Sequence, residues 1–303
     1  MTETKNSQFG LFAALGCYSL WGFLPIYFKL VGNVSPDLVL AHRIFWSVPT
    51  GIVLIALANR WRDVWEVVKD KKRLGWLALS GALMGLNWLI YIWAVQQERV
   101  MEGSLGYFIN PLFSFVLAAI FFGERFSKVQ LAAIVLASLG VLNQTINVGQ
   151  FPWVAISLCI TFGLYGAIRK QVIVDSRTGF LLEVLLLLPF AMVYLGYAWA
   201  QGAPLIAETT SDSILLSLAG IVTAVPLILF ALAARRLRLS TIAIMQYIGP
   251  TLQFFVALYY GEAFTTGHAI TFGFIWLGVI VFTYGAWTRD RREKIAAAVA
   301  AAE

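Results

Sequence analysis

From Phe9 to Trp287 the chain passes through ten apolar segments, each about long enough to cross a bilayer and joined by loops that are short except Asn59 to Arg73 and Gln201 to Asp212. They run Phe9 to Val31, Leu38 to Leu57, Leu74 to Val95, Ser104 to Phe122, Val129 to Thr145, Pro152 to Ile168, Gly179 to Trp199, Ser213 to Ala234, Thr241 to Tyr260 and His268 to Trp287. A backbone N–H or C=O in hydrocarbon has no water to bind, so continuous runs of this kind satisfy their peptide groups as helices. The expected fold is an all-α polytopic membrane protein with ten transmembrane helices. A hydrophobic content of 60% against 13% charged residues agrees, because a soluble chain of 303 residues needs more polar surface. The first run is too long for a cleavable signal and is expected to remain as a span. Nucleic acid is not an expected partner despite the net charge of +6. The only cysteines, Cys17 and Cys159, lie in apolar runs without metal-ligand or redox spacing, so no metal and no cofactor is expected.

The basic residues orient these segments. With the N-terminus in the cytoplasm, all of the 22 Lys and Arg except Lys29, Arg43 and Arg99 fall in the tails and loops on the cytoplasmic side. The positive-inside rule therefore places both termini inside a cytoplasmic (inner) membrane.

The chain also repeats itself. SLGYFINPLFSFVLAAIFFGE (Ser104 to Glu124) recurs as TIAIMQYIGPTLQFFVALYYGE (Thr241 to Glu262). Leu79 to Pro111 lies over Leu218 to Pro250 without a gap, pairing Gly81 with Gly220 and Arg99 with Arg238. Gly123-Glu124 then meets Gly261-Glu262, and Gly140 meets Gly278. Upstream, Pro49 meets Pro189, Arg43 meets Glu183, and Gly22 meets Gly163. The implied division is 1–8 as a cytoplasmic N-terminus, 9–145 as a first repeat (spans 1–5), 152–288 as a second (spans 6–10), and 289–303 as a cytoplasmic tail. Five spans is an odd number, so the second unit enters the bilayer from the opposite side. Inverted repeats of this kind build alternating access around a site at their interface near mid-membrane.

Ionisable and polar groups within the spans nominate that site, since charges in a bilayer core are costly. Arg43 is about five residues into span 2 and needs a carboxylate, carbonyls, water or an anionic ligand, so it is read as a cavity residue or a structural clamp. Its neighbours His42, a candidate for proton coupling, and Trp46 belong to the same stretch. Glu183 faces Arg43 only in the repeat register. Because the two lie below opposite surfaces, they are read as separate gates rather than a direct pair, with Arg169 or Lys170 as alternative partners of Glu183. Asn87 and Tyr91 are one turn apart on span 3, Tyr107 and Asn110 on span 4, and Gln246 and Gln253 share a face of span 9. They flank Pro111 and Pro250, hinge candidates whose missing N–H frees a carbonyl. The competing reading of these groups is plain inter-helix hydrogen bonding. Lys29 is read as reaching the outer interface.

The motifs WGFLPIYFK (Trp21 to Lys29), AHRIFWS (Ala41 to Ser47), NWLIYIWAV (Asn87 to Val95), SLGYFINPL (Ser104 to Leu112), GERF (Gly123 to Phe126) and QYIGPTL (Gln246 to Leu252) resemble the EamA group of the drug/metabolite transporter superfamily. Within it the similarity is to the RarD-type, chloramphenicol-sensitive proteins. That resemblance implies ten helices in two EamA repeats and the export or exchange of small organic molecules. The expectation is a secondary-active transporter, not an enzyme, with a small-molecule substrate coupled to a proton or counter-solute gradient; a homodimer is compatible with it. The alternatives are a lipid or amphiphile flippase and a non-transporting membrane sensor. A nucleotide-driven pump is disfavoured because no phosphate-binding Gly-rich loop is present.

Overall fold

The computed structural model describes residues 3–122, 127–147, 149–204, 207–234, 236–237 and 239–300. Among the described residues the regular structure is all helix: α1 (Glu3–Leu30), α2 (Pro36–Ala58), α3 (Trp61–Lys69), α4 (Lys71–Gln96), α5 (Val100–Phe122), α6 (Lys128–Asn147), α7 (Trp153–Gln171), α8 (Ser176–Ala200), α9 (Thr210–Ala234), α10 (Leu239–Met245), α11 (Ile248–Tyr259) and α12 (Thr266–Ala300). Seven of them, α1, α2, α4, α6, α8, α9 and α12, contain stretches long and apolar enough to cross a membrane. The molecule is a multi-pass membrane protein. Helices α5, α7 and α10 with α11 carry the other three apolar segments. The paired endings Gly123-Glu124 and the counterpart of Arg99, Arg238, lie outside the described residues.

Local chemistry sets the helix ends. Pro36 opens α2 at its first turn, and Asn59 closes it in the left-handed region at φ 52°. Asp70 caps α4 by accepting the N–H groups of Lys72 and Arg73, and Asp175 caps α8 by accepting that of Arg177. Two starts share one construction. Ser127 accepts the N–H of Gln130 while Gln130 accepts that of Ser127; Thr265 and His268 exchange the same pair of bonds ahead of α12.

Two expectations are corrected. The stretch Asn59 to Arg73, read as a loop, contains α3, whose Val64 and Val67 pack with Ile55, Leu77 and Leu181 while Trp65 stays exposed. Span 9, read as one segment from Thr241 to Tyr260, is broken at Gln246 and Tyr247 into α10 and α11. The hydrogen-bond ladder tightens there, Tyr247 N–H reaching Ile244 O and Thr251 N–H resuming at Tyr247 O. Pro250 has no N–H to return to Gln246 and stands in the first turn of α11. Pro111, by contrast, lies inside an uninterrupted α5.

Packing follows a regular scheme. Helix α1 packs on α9 and α11, α7 on α4 and α5, α2 on α8 and α9, α4 on α8, α5 on α11, and α6 on α12. Glycines set the closest crossings. A methyl at Gly22 would meet Leu252 and one at Gly163 would meet Phe113, each partner two residues beyond a proline. Gly140 sits against Thr271 and Ile275 of α12, and Gly278 against Ala133 and Ala137 of α6.

Candidate functional site

Arg43 lies at the meeting of α1, α2, α4 and α9 and is 5% exposed. Its Nε donates to Thr223 Oγ1 at 2.9 Å, and Thr223 in turn donates to Ala219 O at 2.8 Å. The guanidinium carbon stands 4.2 Å from the centre of the Trp88 ring and 5.5 Å from that of Phe28. Tyr27, Tyr91 and Tyr107 are within electrostatic reach of it. Among the described residues no carboxylate pairs with it, and its Nη1 has no hydrogen-bond partner. A cation–π contact is worth about 2 kcal/mol when desolvated, whereas burying an ion costs several kcal/mol. The residues present therefore leave this charge undercompensated.

The surrounding groups divide into satisfied and unsatisfied. Asn87 Nδ2 donates to Leu158 O at 3.1 Å and to Thr161 Oγ1 at 2.8 Å, while Tyr107 donates to Asn87 Oδ1 at 3.3 Å. Asn87 thus joins α4 to α7 by two hydrogen bonds. Tyr91, whose ring faces Tyr107 at 5.6 Å and Phe28 at 6.1 Å, has an unpartnered hydroxyl. Trp46 Nε1 and both ring nitrogens of His42 are also unpartnered. On α5 and α11, Asn110 Oδ1 and Gln253 Oε1 lack donors, although Gln253 Nε2 gives a 3.2 Å bond to Trp21 O. Gln246 sits half-buried at the break before α11, and Gln253 is buried on α11 itself.

Glu183 belongs to a different cluster. It is buried, accepts Ser80 Oγ at 2.6 Å, lies 3.7 Å from Arg169 Nε, and takes Tyr165 Oη at 3.5 Å. Gly51 of α2 lies on Leu181, and Ala41 and Ile44 share a cluster with Ala191, so α2 and α8 run antiparallel. That register sets Arg43 and Glu183 about 10 Å apart along the helix axes. No pair forms between them.

A second carboxylate, Glu262, accepts the N–H of Val100 at 2.7 Å and of Met101 at 2.8 Å and so caps α5. Glu102 accepts the N–H of Val154 at 2.8 Å at the start of α7, and Lys29 Nζ sits 4.7 Å over the Tyr260 ring beside these caps.

The profile of the EamA-like transporter family matches residues 8–143. Protein RarD of Salmonella typhimurium is 42% identical over 293 residues, covering 96% of this chain and 100% of its own. The chain belongs to the EamA-type, RarD-like transporters. An uncharacterized transporter of Vibrio cholerae is 44% identical over 285 residues, covering 93% of this chain and 94% of its own. The chloramphenicol-sensitive protein RarD of Pseudomonas aeruginosa is 31% identical over 277 residues, covering 90% and 92%. A solved crystal structure covers 94% of this chain and 98% of its own with a TM-score of 0.58 at 20% identity, a likeness of fold alone.

In this RarD-like chain, sequence reasoning singled out Arg43 and Glu183 and named Arg169 as a candidate partner of Glu183, from which it stands 3.7 Å away, but missed their hydroxyl partners. Thr223 and Ser80 are small polar residues inside apolar runs, with nothing nearby in sequence to mark them. Glu262 was seen only as the end of a repeated motif. Its position just before α12, at a helix joint rather than within a span, was the available signal that it caps another helix.

Proposed function

We propose that the protein is a secondary-active transporter, an exporter or exchanger of small organic metabolites or drug-like molecules, working by alternating access between two inverted five-helix halves. Arg43 carries this reading: a buried cation without a counter-ion, held by Thr223 of one half and Trp88 of the other, is a site waiting for a ligand where the halves meet. The inverted repeat is supported by contacts that map onto one another. Exchanging the two sets of spans converts the α1 crossing with α11 into the α5 crossing with α7, turns the Gly140 contact into the Gly278 contact, and carries one capping box onto the other. With both termini in the cytoplasm of an inner-membrane protein, the Glu183 cluster closes the inner side. The Glu262 and Glu102 caps close the outer side. A proton or counter-solute gradient drives the cycle.

Single cysteines test this in a background lacking Cys17 and Cys159. Val100→Cys lies beside the outer caps and Ser80→Cys beside the inner cluster; both positions are fully buried. In oriented vesicles, a membrane-impermeant maleimide should reach each from one face only, and conditions that raise labelling of one should lower that of the other. Simultaneous labelling of both, or labelling of neither under any gradient, would sink the alternating-access reading. A lipid flippase is favoured by one observation, an apolar cleft of about 340 Å³ between Pro36, Leu89, Ile90, Trp93 and Trp153. Reciprocal labelling driven by lipid composition rather than by soluble compounds would select it.

A further inference from the structure

We infer that the buried group of side chains around Arg43 takes an organic monocarboxylate, a single negative charge on a planar and largely apolar body. This deepens the transport reading and rests on it. Three buried polar atoms there have no partner: Arg43 Nη1, Tyr91 Oη and Trp46 Nε1. Trp46 follows Arg43 by one helical turn and so shares its face of α2. Arg43 and Tyr91 act on each other electrostatically. Arg43 Nη1 and Trp46 Nε1 only donate and Tyr91 Oη can donate, so an acceptor completes all three.

The size of that charge follows from the neighbours. The groups acting on the guanidinium are the tyrosines Tyr27, Tyr107 and Tyr91, with no second Lys or Arg among them. Tyr27 already donates to Leu215 O at 2.8 Å, and Tyr107 to Asn87. A phosphate dianion would bring one charge without a match, and a cation would be repelled by the Arg43 guanidinium. A carboxylate fits a planar guanidinium whose Nε is committed to Thr223 and whose Nη1 is open. The walls around it, Trp88, Phe28, Tyr91 and Tyr107, are flat rings, which suit a planar body.

Isosteres of different charge decide this. The full chain in nanodiscs is titrated calorimetrically with benzoate, benzamide and benzamidinium, which share a ring and differ in charge, and with phenylacetate, hexanoate, phenyl phosphate and chloride. The monocarboxylates should bind at least tenfold more tightly than benzamide, and benzamidinium should not bind. Arg43→Gln should bring the ratio of benzoate to benzamide affinity from at least ten down to about one. Should that variant fail to fold, Tyr91→Phe, which removes only a hydroxyl, should weaken benzoate more than benzamide. Equal or tighter binding of benzamide, benzamidinium or phenyl phosphate overturns the inference, as does competition by chloride at benzoate's own concentration or the absence of any saturable monocarboxylate. Reciprocal cysteine labelling with no carboxylate preference removes this inference and leaves the transporter; a carboxylate preference without reciprocal labelling removes the transporter and leaves a binding site.

Discussion

Glu262 and Asp175 sit at helix joints outside the spans and respond to pH in opposite directions. Burial pushes the Glu262 carboxyl above its usual range, opposed by the N–H groups of Met101 and Val100 and by the charge of Lys29. A raised value means that the folded state holds the proton more tightly than the unfolded chain does. The stability from this group is complete below the unfolded value and is lost as pH rises through the folded one. Burial pulls Asp175 upward too, but the side chain and N–H of Arg177, with the charge of Arg60, more than offset it and hold the group below its usual range. Its contribution is present above the unfolded value and lost as pH falls through the folded one. Unfolding free energies measured against pH should therefore show the gap between the parent and Asp175→Asn narrowing under acid. The advantage of the parent over Glu262→Gln should instead shrink as pH rises. Arg43 and Glu183 were legible in sequence because charge inside an apolar run is conspicuous. Thr223, Ser80 and Thr161 were not, since a hydroxyl in such a run costs little and its partner lies 74 to 180 residues away.

At the scale of helices, the decisive contacts are backbone against backbone. A Cβ on Gly106 would meet the Cα, carbonyl carbon and oxygen of Ala155, none of which can turn aside, so α5 and α7 would have to part. Gly196 on α8 has nothing within 4 Å of the same construction. Gly106→Ala should lower unfolding stability by about 1–3 kcal/mol, the usual cost of overpacking, while Gly196→Ala should change it by no more than about 0.5 kcal/mol; steric-trap unfolding in bicelles measures both. The long apolar helices were readable from apolar length, seven of them apolar enough over a membrane's thickness to span it. What was not readable was the break before α11, because Pro111 and Pro250 look alike in sequence. Only in the folded chain does Ser104 Oγ hold the Pro250 carbonyl at 2.7 Å. Helix α3 was readable in retrospect, Val64 and Val67 being spaced to face one side while Trp61, Trp65 and Val68 stay exposed, and was hidden by the charges around it.

For the molecule as a whole, the stretch that the family profile matches is residues 8–143. It is not a self-sufficient unit of structure. Arg43 needs Thr223, Ser104 holds Pro250, and Tyr27 needs Leu215, so buried polar groups of the first half find their partners in the second. Residues 1–148 expressed alone should be rapidly degraded by an added protease. Co-expression with 149–303 should restore the resistance of the intact chain, and a protease-resistant first half on its own would contradict this. The cap on α5 adds a matter of timing. At roughly 5–20 residues per second, a ribosome that has just made Val100 needs on the order of 10–30 s more to make Glu262. Through that interval the nascent helix waits in the membrane with its leading amides open, and its final position is settled only as synthesis nears its close.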